Sequence, residues 1–258
     1  MSTVLHQAVR VERDGAVAIV TIEHPPANAI SRAVILGITE ALAEAEADET
    51  CRALILTGSG PKFFAAGADI TEFGGAGGEN IAKGQELTLA MESSRLPIVA
   101  AVNGIAFGGG CELTLACDLR IASSRARFGQ PEIKLGIIPG WGGTQRLPRL
   151  IGRRAATELL FSGDPVDAAR ALELGLISRI VEPEDLVGAA LETARRFAAQ
   201  APLALAATKR AIAAGLDRPL ADGLEAERRE FVGLFSSEDA REGITAFLEK
   251  RAPSWTGR

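Results

Sequence analysis

The segment at residues 102–122, VNGIAFGGGCELTLACDLRIA, constrains the fold more than any other stretch. An apolar strand, Ile98–Val102, ends at Asn103-Gly104. Three glycines, Gly108 to Gly110, then precede an apolar helical run at 111–117, and residues 119–122 again read as a strand. The rest of the first half repeats this alternation. Residues 4–12 and 16–23 are β-rich runs joined by Asp14-Gly15, a strong hairpin signal. Residues 31–47 have helical periodicity with Ser31 as the N-cap. Residues 53–57 form a buried-strand pattern that Gly58-Ser59-Gly60-Pro61 ends, and the Gly-rich stretch 74–78 reads as a mobile loop. From about Gly142 onward the pattern is mostly helical and alanine-rich, with one short strand at 177–181. The expected fold class is α/β: an α/β core followed by a helical C-terminal region. No internal repeat stands out.

Charge and composition then exclude several functions. A formal net charge of -5 argues against a nucleic-acid surface, which needs a basic excess. Cys51, Cys111 and Cys117 are odd in number and loosely spaced, so neither a disulfide framework nor a paired metal-ligand motif is expected. The two histidines, His6 and His24, both lie near the N-terminus, which disfavours a His-dependent triad or a His-rich metal site. The first residues lack a basic stretch followed by an apolar one, and no apolar run is long enough to span a bilayer. A soluble, cytoplasmic protein is expected. There is no GxGxxG opening a helix after a strand, no P-loop, no GxSxG elbow and no HExxH.

Three segments carry groups suited to catalysis. The glycines before Glu112 let a ligand approach the backbone, and the amides of a helix start are unpaired donors at the positive end of a dipole. Such amides hold a developing oxyanion. Glu112 falls in the first turn of that helix, where the dipole is expected to keep it ionised, as a base requires. The same glycines are equally compatible with close helix–strand packing. In KFFAAGADI, residues 62–70, small side chains expose backbone to a flat or bulky partner, although a tight packed loop reads the same way. In GQPEIKLGIIPGWGGTQRLPR, residues 129–149, Pro131 suits the first position of a short helix and displays Glu132 at its start. Ile133, Leu135, Ile137 and Ile138 surround it with apolar surface, which raises a carboxylate pKa by desolvation and suits a proton donor. Taken alone, Glu132 is also compatible with an exposed capping turn. Gly140, Gly142 and Gly143 again expose amides. Two carboxylates in different surroundings form a natural acid/base pair.

Together the blocks AAGADI, AVNGIAFGGGCEL and GQPEIKLGIIPGWGGTQRL resemble, in order and spacing, the enoyl-CoA hydratase/isomerase, or crotonase, family. The resemblance runs over nearly the whole chain. It implies a spiral of ββα units over residues 1–200 carrying an acyl-CoA site, and a helical trimerisation region over 201–258. It implies an acyl-CoA thioester as substrate, water added across a trans-2-enoyl double bond, and no metal or redox cofactor. The amides matching the oxyanion hole are those of Ala68 and Gly109. The two hydratase carboxylates match Glu112, as base on the water, and Glu132, as donor to Cα. The Gly140 amide matches the group that helps hold the water. CoA contacts match Ala66, Ala68, Asp69 and Ile70, and a neighbouring protomer's helix would contribute Phe247 and Lys250. One departure concerns the stretch His24-Pro25-Pro26-Ala27, which lacks a basic residue near the CoA phosphates; Arg32 or Lys62 are the nearby cations. Trp141 occupies a position that is often small, either shaping the acyl pocket or packing. The alternative on the same fold is a Δ3,Δ2-enoyl-CoA isomerase, which needs one base where a hydratase needs two carboxylates.

Overall fold

The computed structural model describes residues 3–6, 8–72 and 77–258. The chain opens with three antiparallel strands, Thr3–His6 (β1), Val9–Asp14 (β2) and Val17–Ile22 (β3). The β-rich run 4–12 is therefore two strands, not one. It folds back beside Ala8, which adopts φ 54°, and β1 pairs with β2. The hairpin at Asp14-Gly15 is present, with Asp14 opposite Val17.

A repeat follows. Arg32–Ala47 (α1) leads to Ala53–Gly58 (β4), Phe63–Ala65 (β5) and Gly77–Ser93 (α2). Next come Ile98–Val102 (β6), Ile105–Phe107 (β7) and Gly109–Leu115 (α3). Leu119–Ser123 (β8) and Arg127–Gly129 (β9) start a third turn, which continues through a 3₁₀ turn, Pro131–Leu135, into Gly143–Ile151 (α4) and Arg153–Ser162 (α5). In each turn a long strand joins one sheet and a short strand joins another. Val166–Asp167 (β10), Ala168–Glu173 (α6), Arg179–Val181 (β11) and Leu186–Ala198 (α7) complete the core. Among the described residues the large sheet has the order β1-β2-β3-β4-β6-β8-β11, and the small sheet β10-β9-β7-β5. From β3 onward the large sheet is parallel, and β5, β7 and β9 are parallel in the small one.

Strand periodicity of two explains the layering. Ala18, Val20, Leu54, Leu56, Ile98 and Ala100 face the core shared with α1, α2 and α3. Their alternates Val17, Ile19, Ala53, Ile55, Val99 and Ala101 face Leu186, Ala190 and Ala194 of α7. Both faces are covered, so the strands read as continuous apolar runs.

Local signals set the ends of the elements. Ser31 caps α1 by accepting from the Val34 amide at 3.4 Å. The helix expected at 111–117 starts two residues earlier, at Gly109. Of the expected mobile loop at 74–78, residues 74–76 lie outside the described residues, and Gly77 and Gly78 open α2.

Pro202–Gly215 (α8), Leu220–Leu234 (α9) and Glu238–Glu249 (α10) follow. Lys209 of α8 docks this region on the core: its Nζ donates to the Leu96 carbonyl at 2.9 Å and to Asp118 Oδ2 at 2.8 Å. Large apolar side chains stay exposed on these helices, among them Leu216, Leu220, Phe231, Phe247 and Leu248. No helix among the described residues is long and apolar enough to cross a membrane.

Candidate active site

The three segments singled out in the sequence leave the carboxyl ends of β5, β7 and β9, adjacent parallel strands of the small sheet. Open parallel sheets gather ligands at that end. There the segments line one cavity of about 1010 Å³, bounded by Ala66, Ala68, Gly109, Glu112, Glu132 and Gly140.

Two asparagine contacts fix the first segment. Asn28 Nδ2 and Asn103 Nδ2 both donate to the Phe63 carbonyl, at 3.0 and 2.9 Å. Ala68 forms a parallel bridge with Ile30. In that bridge the Ile30 amide donates to Gly67 O at 2.8 Å and the Asp69 amide to Ile30 O at 3.0 Å. The Ala68 N–H is thereby turned away from Ile30, and among the described residues no carbonyl accepts from it.

In the second segment, Gly108 adopts φ 50°, ψ -125°, and turns the chain from β7 into α3. A Cβ there would lie 2.9 Å from Glu132 Oε1 and push that carboxylate aside, and the positive φ is one that other residues rarely adopt. Gly109 opens α3, and its amide has no acceptor among the described residues, as expected of a helix first turn.

Glu112 is only 2% exposed. Its Oε1 accepts from the Trp141 amide and the Gly143 amide, each at 2.7 Å. Burial raises its pKa, while the amides of Gly143, Trp141 and Gly140 and the Arg146 guanidinium pull it back. The helix dipole expected from the sequence is not the main influence on this group: burial raises its pKa against the pull of its hydrogen-bond donors. The amides that oppose it come from a distant loop.

Glu132 follows Pro131 at the first position of its 3₁₀ turn, as expected. Burial pushes its pKa up to about 7, the charge of nearby Glu112 adding to the rise. Leu135, Ile137 and Ile138 line the cavity as anticipated and are exposed, whereas Ile133, expected with them, does not line it. Gln130, itself buried, donates with its amide nitrogen to Glu132 Oε1 at 3.1 Å and Oε2 at 3.2 Å.

The loop at 139–143 ties these parts together. Trp141 is buried, with its indole against Gly84 of α2 and Gly109 of α3; a Cβ at either glycine would collide with the ring. Arg146 secures the loop from below. Its Nη1 donates to Trp141 O at 2.6 Å, and its Nη2 pairs with Glu92 of α2 at 2.6 Å. Sequence reading missed Gln130, Arg146 and the amides of Trp141 and Gly143 as partners of the two glutamates. The extended bias of Gln130 before Pro131 and the glycines that expose amides at 140–143 were the signals available for them.

Other expected contacts fall elsewhere. Ile70 lines the cavity. Asp69 does not: its carboxylate accepts from the Thr71 amide and hydroxyl, which holds its pKa below the usual value. Phe247, 83% exposed, and Lys250 lie on α10 and at its end, away from this chain's own cavity lining. Of the candidate phosphate contacts, Arg32 pairs with Glu79 at 2.9 Å and Lys62 lies 5.2 Å over the Phe63 ring. The His24 Nδ1 is engaged with the Ala29 carbonyl at 2.7 Å.

Comparison with known proteins places this geometry. The family model for enoyl-CoA hydratase/isomerase matches residues 12–258. The chain is 43% identical to a short-chain-enoyl-CoA hydratase of Clostridium acetobutylicum, over 94% of this chain and 95% of that protein. It is 39% identical to a crotonyl-CoA hydratase of Syntrophomonas wolfei, over 98% and 99% of the two chains. The crystal structure of an enoyl-CoA hydratase from Bacillus anthracis superposes with a TM-score of 0.94 at 38% identity, covering 98% of this chain and 100% of that one. The crotonase-like spiral of ββα units and the shared cavity of Glu112 and Glu132 thus sit within a full-length match, and the chain belongs to the enoyl-CoA hydratase/isomerase family.

Proposed function

We propose that this protein hydrates trans-2-enoyl-CoA thioesters to 3-hydroxyacyl-CoA, reversibly, in the degradation of fatty or related acyl-CoA. The observation that carries this reading is the presence of two carboxylates with raised pKa in one cavity with two free amides. The amides of Ala68 and Gly109 polarise the thioester carbonyl and favour the enolate-like transition state over the ground state. Glu112, oriented by two amides, takes a proton from the water that attacks Cβ, with the Gly140 amide helping to place that water. Glu132, with a pKa near neutrality, delivers a proton to Cα. The reaction is redox-neutral, and these groups handle water and proton without a metal or cofactor.

Ala66, Ala68 and Ile70 form the edge where CoA would lie, while Asp69 between them keeps its backbone and carboxylate bonded within the protein. The exposed apolar side chains of residues 201–258 support their role as an assembly region in a trimer or dimer of trimers. In such an assembly Phe247 and Lys250 would complete a neighbour's CoA site. Three buried free thiols suit a reducing compartment, the cytoplasm. The test is loss of the conjugated-thioester absorbance on adding the protein to 2-enoyl-CoA substrates. A protein that leaves 2-enoyl-CoA untouched and converts only a 3-enoyl-CoA is an isomerase instead.

A further inference from the structure

The catalytic cavity is not the only space that Trp141 borders. A second cavity of about 700 Å³ lies toward the far end of α3, where Leu115, Ala116 and Cys117 form part of its wall. The first cavity meets α3 at its opposite end, at Gly109. Gln85, Trp141, Gly142 and Gln145 line both spaces. Trp141, 4% exposed, therefore stands in the wall between them.

We infer that the Trp141 side chain sets the acyl chain-length limit by closing the substrate cavity off from this second one. The inference rests on the hydratase reading. With the thioester oxygen at Gly109 and Cβ beside Glu112, the tail leaving Cβ runs toward the residue that touches both. The Trp141 ring lies on Gly109, and its amide is 2.7 Å from the Glu112 carboxylate. Beyond the indole, the second cavity suits an alkyl chain. Leu89, Leu115, Ile212 and Leu216 supply apolar wall. Its charged side chains are mutually paired: Arg146 with Glu92, Arg149 with Asp217 and Lys209 with Asp118. Removing the indole leaves the backbone amide that holds Glu112 and opens a path between the two spaces.

The experiment measures kcat/KM on crotonyl-CoA, 2-octenoyl-CoA and 2-dodecenoyl-CoA for the parent, Trp141→Leu and Trp141→Ala. Each newly buried methylene improves binding roughly fourfold. Burial of roughly three or four of the added methylenes beyond the indole should therefore raise the dodecenoyl-to-crotonyl ratio on the order of 10²-fold in the variants. Trp141→Leu, nearer in volume, carries the test where Trp141→Ala does not fold. Adding Ala213→Phe to either variant refills the second cavity from its far wall and should bring the ratio back down, which general loosening of the site would not do. A parent that hydrates crotonyl-CoA, with variants that keep its chain-length ratio, overturns this inference alone. A parent that hydrates none of the three substrates overturns the hydratase reading and this inference with it.

Discussion

The Glu112 carboxylate and the Trp141 backbone amide, 29 residues apart in sequence, are joined by a 2.7 Å hydrogen bond. The bond fixes a buried base by a main-chain group, on a loop that the buried indole of the same residue packs against α2 and α3. The Gly143 amide doubles it at the same distance. Whatever shifts the loop at 139–143 should therefore shift the base.

Each glutamate should be needed for hydration. Glu112→Gln and Glu132→Gln are each expected to lower kcat on a 2-enoyl-CoA by at least about 10²-fold. CoA affinity should be largely kept, because the proposed CoA contacts lie elsewhere. Steady-state kinetics with CoA as a competitive inhibitor read both quantities. If one substitution is silent on a 3-enoyl-CoA and the parent ignores the 2-enoyl substrate, the protein is an isomerase.

The raised pKa of Glu132 predicts a pH dependence of stability. An ordinary glutamate titrates near 4.5, and the folded one near 7. Between these values the folded state holds a proton that the unfolded chain has lost. Stability supplied by this group is thus full below the lower value and lost as pH rises through the upper one. Glu132→Gln should flatten that slope, narrowing the stability gap between about pH 5 and about pH 8 relative to the parent. Urea midpoints of both proteins at the two pH values check it, and equal slopes would refute it.

Gly109 is proposed to act through its amide. Gly109→Pro removes the donor at a helix position that proline tolerates. The loss of one oxyanion donor is worth on the order of 10²–10³ in kcat. Gly109→Ala keeps the N–H yet meets the same Trp141 ring. The proline variant should therefore fall well below the alanine variant, and equal kcat for two folded variants would remove Gly109 from the oxyanion hole.

Light scattering should give three or six times the monomer mass. In that assembly the exposed apolar side chains of α9 and α10 would supply the contact. Phe247→Asp is expected to raise KM for the CoA substrate more than it lowers kcat, because that residue is proposed to serve a neighbour's site. A fully active monomer would contradict the assembly.

What the sequence disclosed was local. Ser31 announces α1 because a hydroxyl just before a periodic run has one obvious partner, the Val34 amide. Asp14-Gly15 announces its hairpin because a tight turn needs a positive φ, and Gly15 adopts φ 56°. The three blocks around Ala68, Gly109 and Glu132 were legible through family resemblance, and the cavity collects all three. The second sheet was not legible. Three residues, as in β5, β7 and β9, are too few to show a period. The ββα repeat did not show in the residue pattern either and entered only through the family resemblance. Nor did the sequence reveal Arg120, which is buried and donates to the carbonyls of Leu176, Thr114 and Cys117. An arginine in a strand gives no sign that it will cap the end of a neighbouring helix. The rise in the Glu112 pKa was not legible because helix position is a local quantity and depth of burial is not.

The small sheet has a last consequence, for how such a molecule diversifies. Its parallel strands β5, β7 and β9 deliver the segments of Ala68, Gly109 and Glu132 side by side. Neighbouring strands sit about 4.8 Å apart wherever a ladder forms. The spacing of the reacting groups is therefore inherited from main-chain pairing and owes little to side-chain reach. Exchanging the residue at the end of one short strand would change the reaction without moving the stations at which it takes place. A lineage built on this scaffold is free to trade chemistries one strand end at a time.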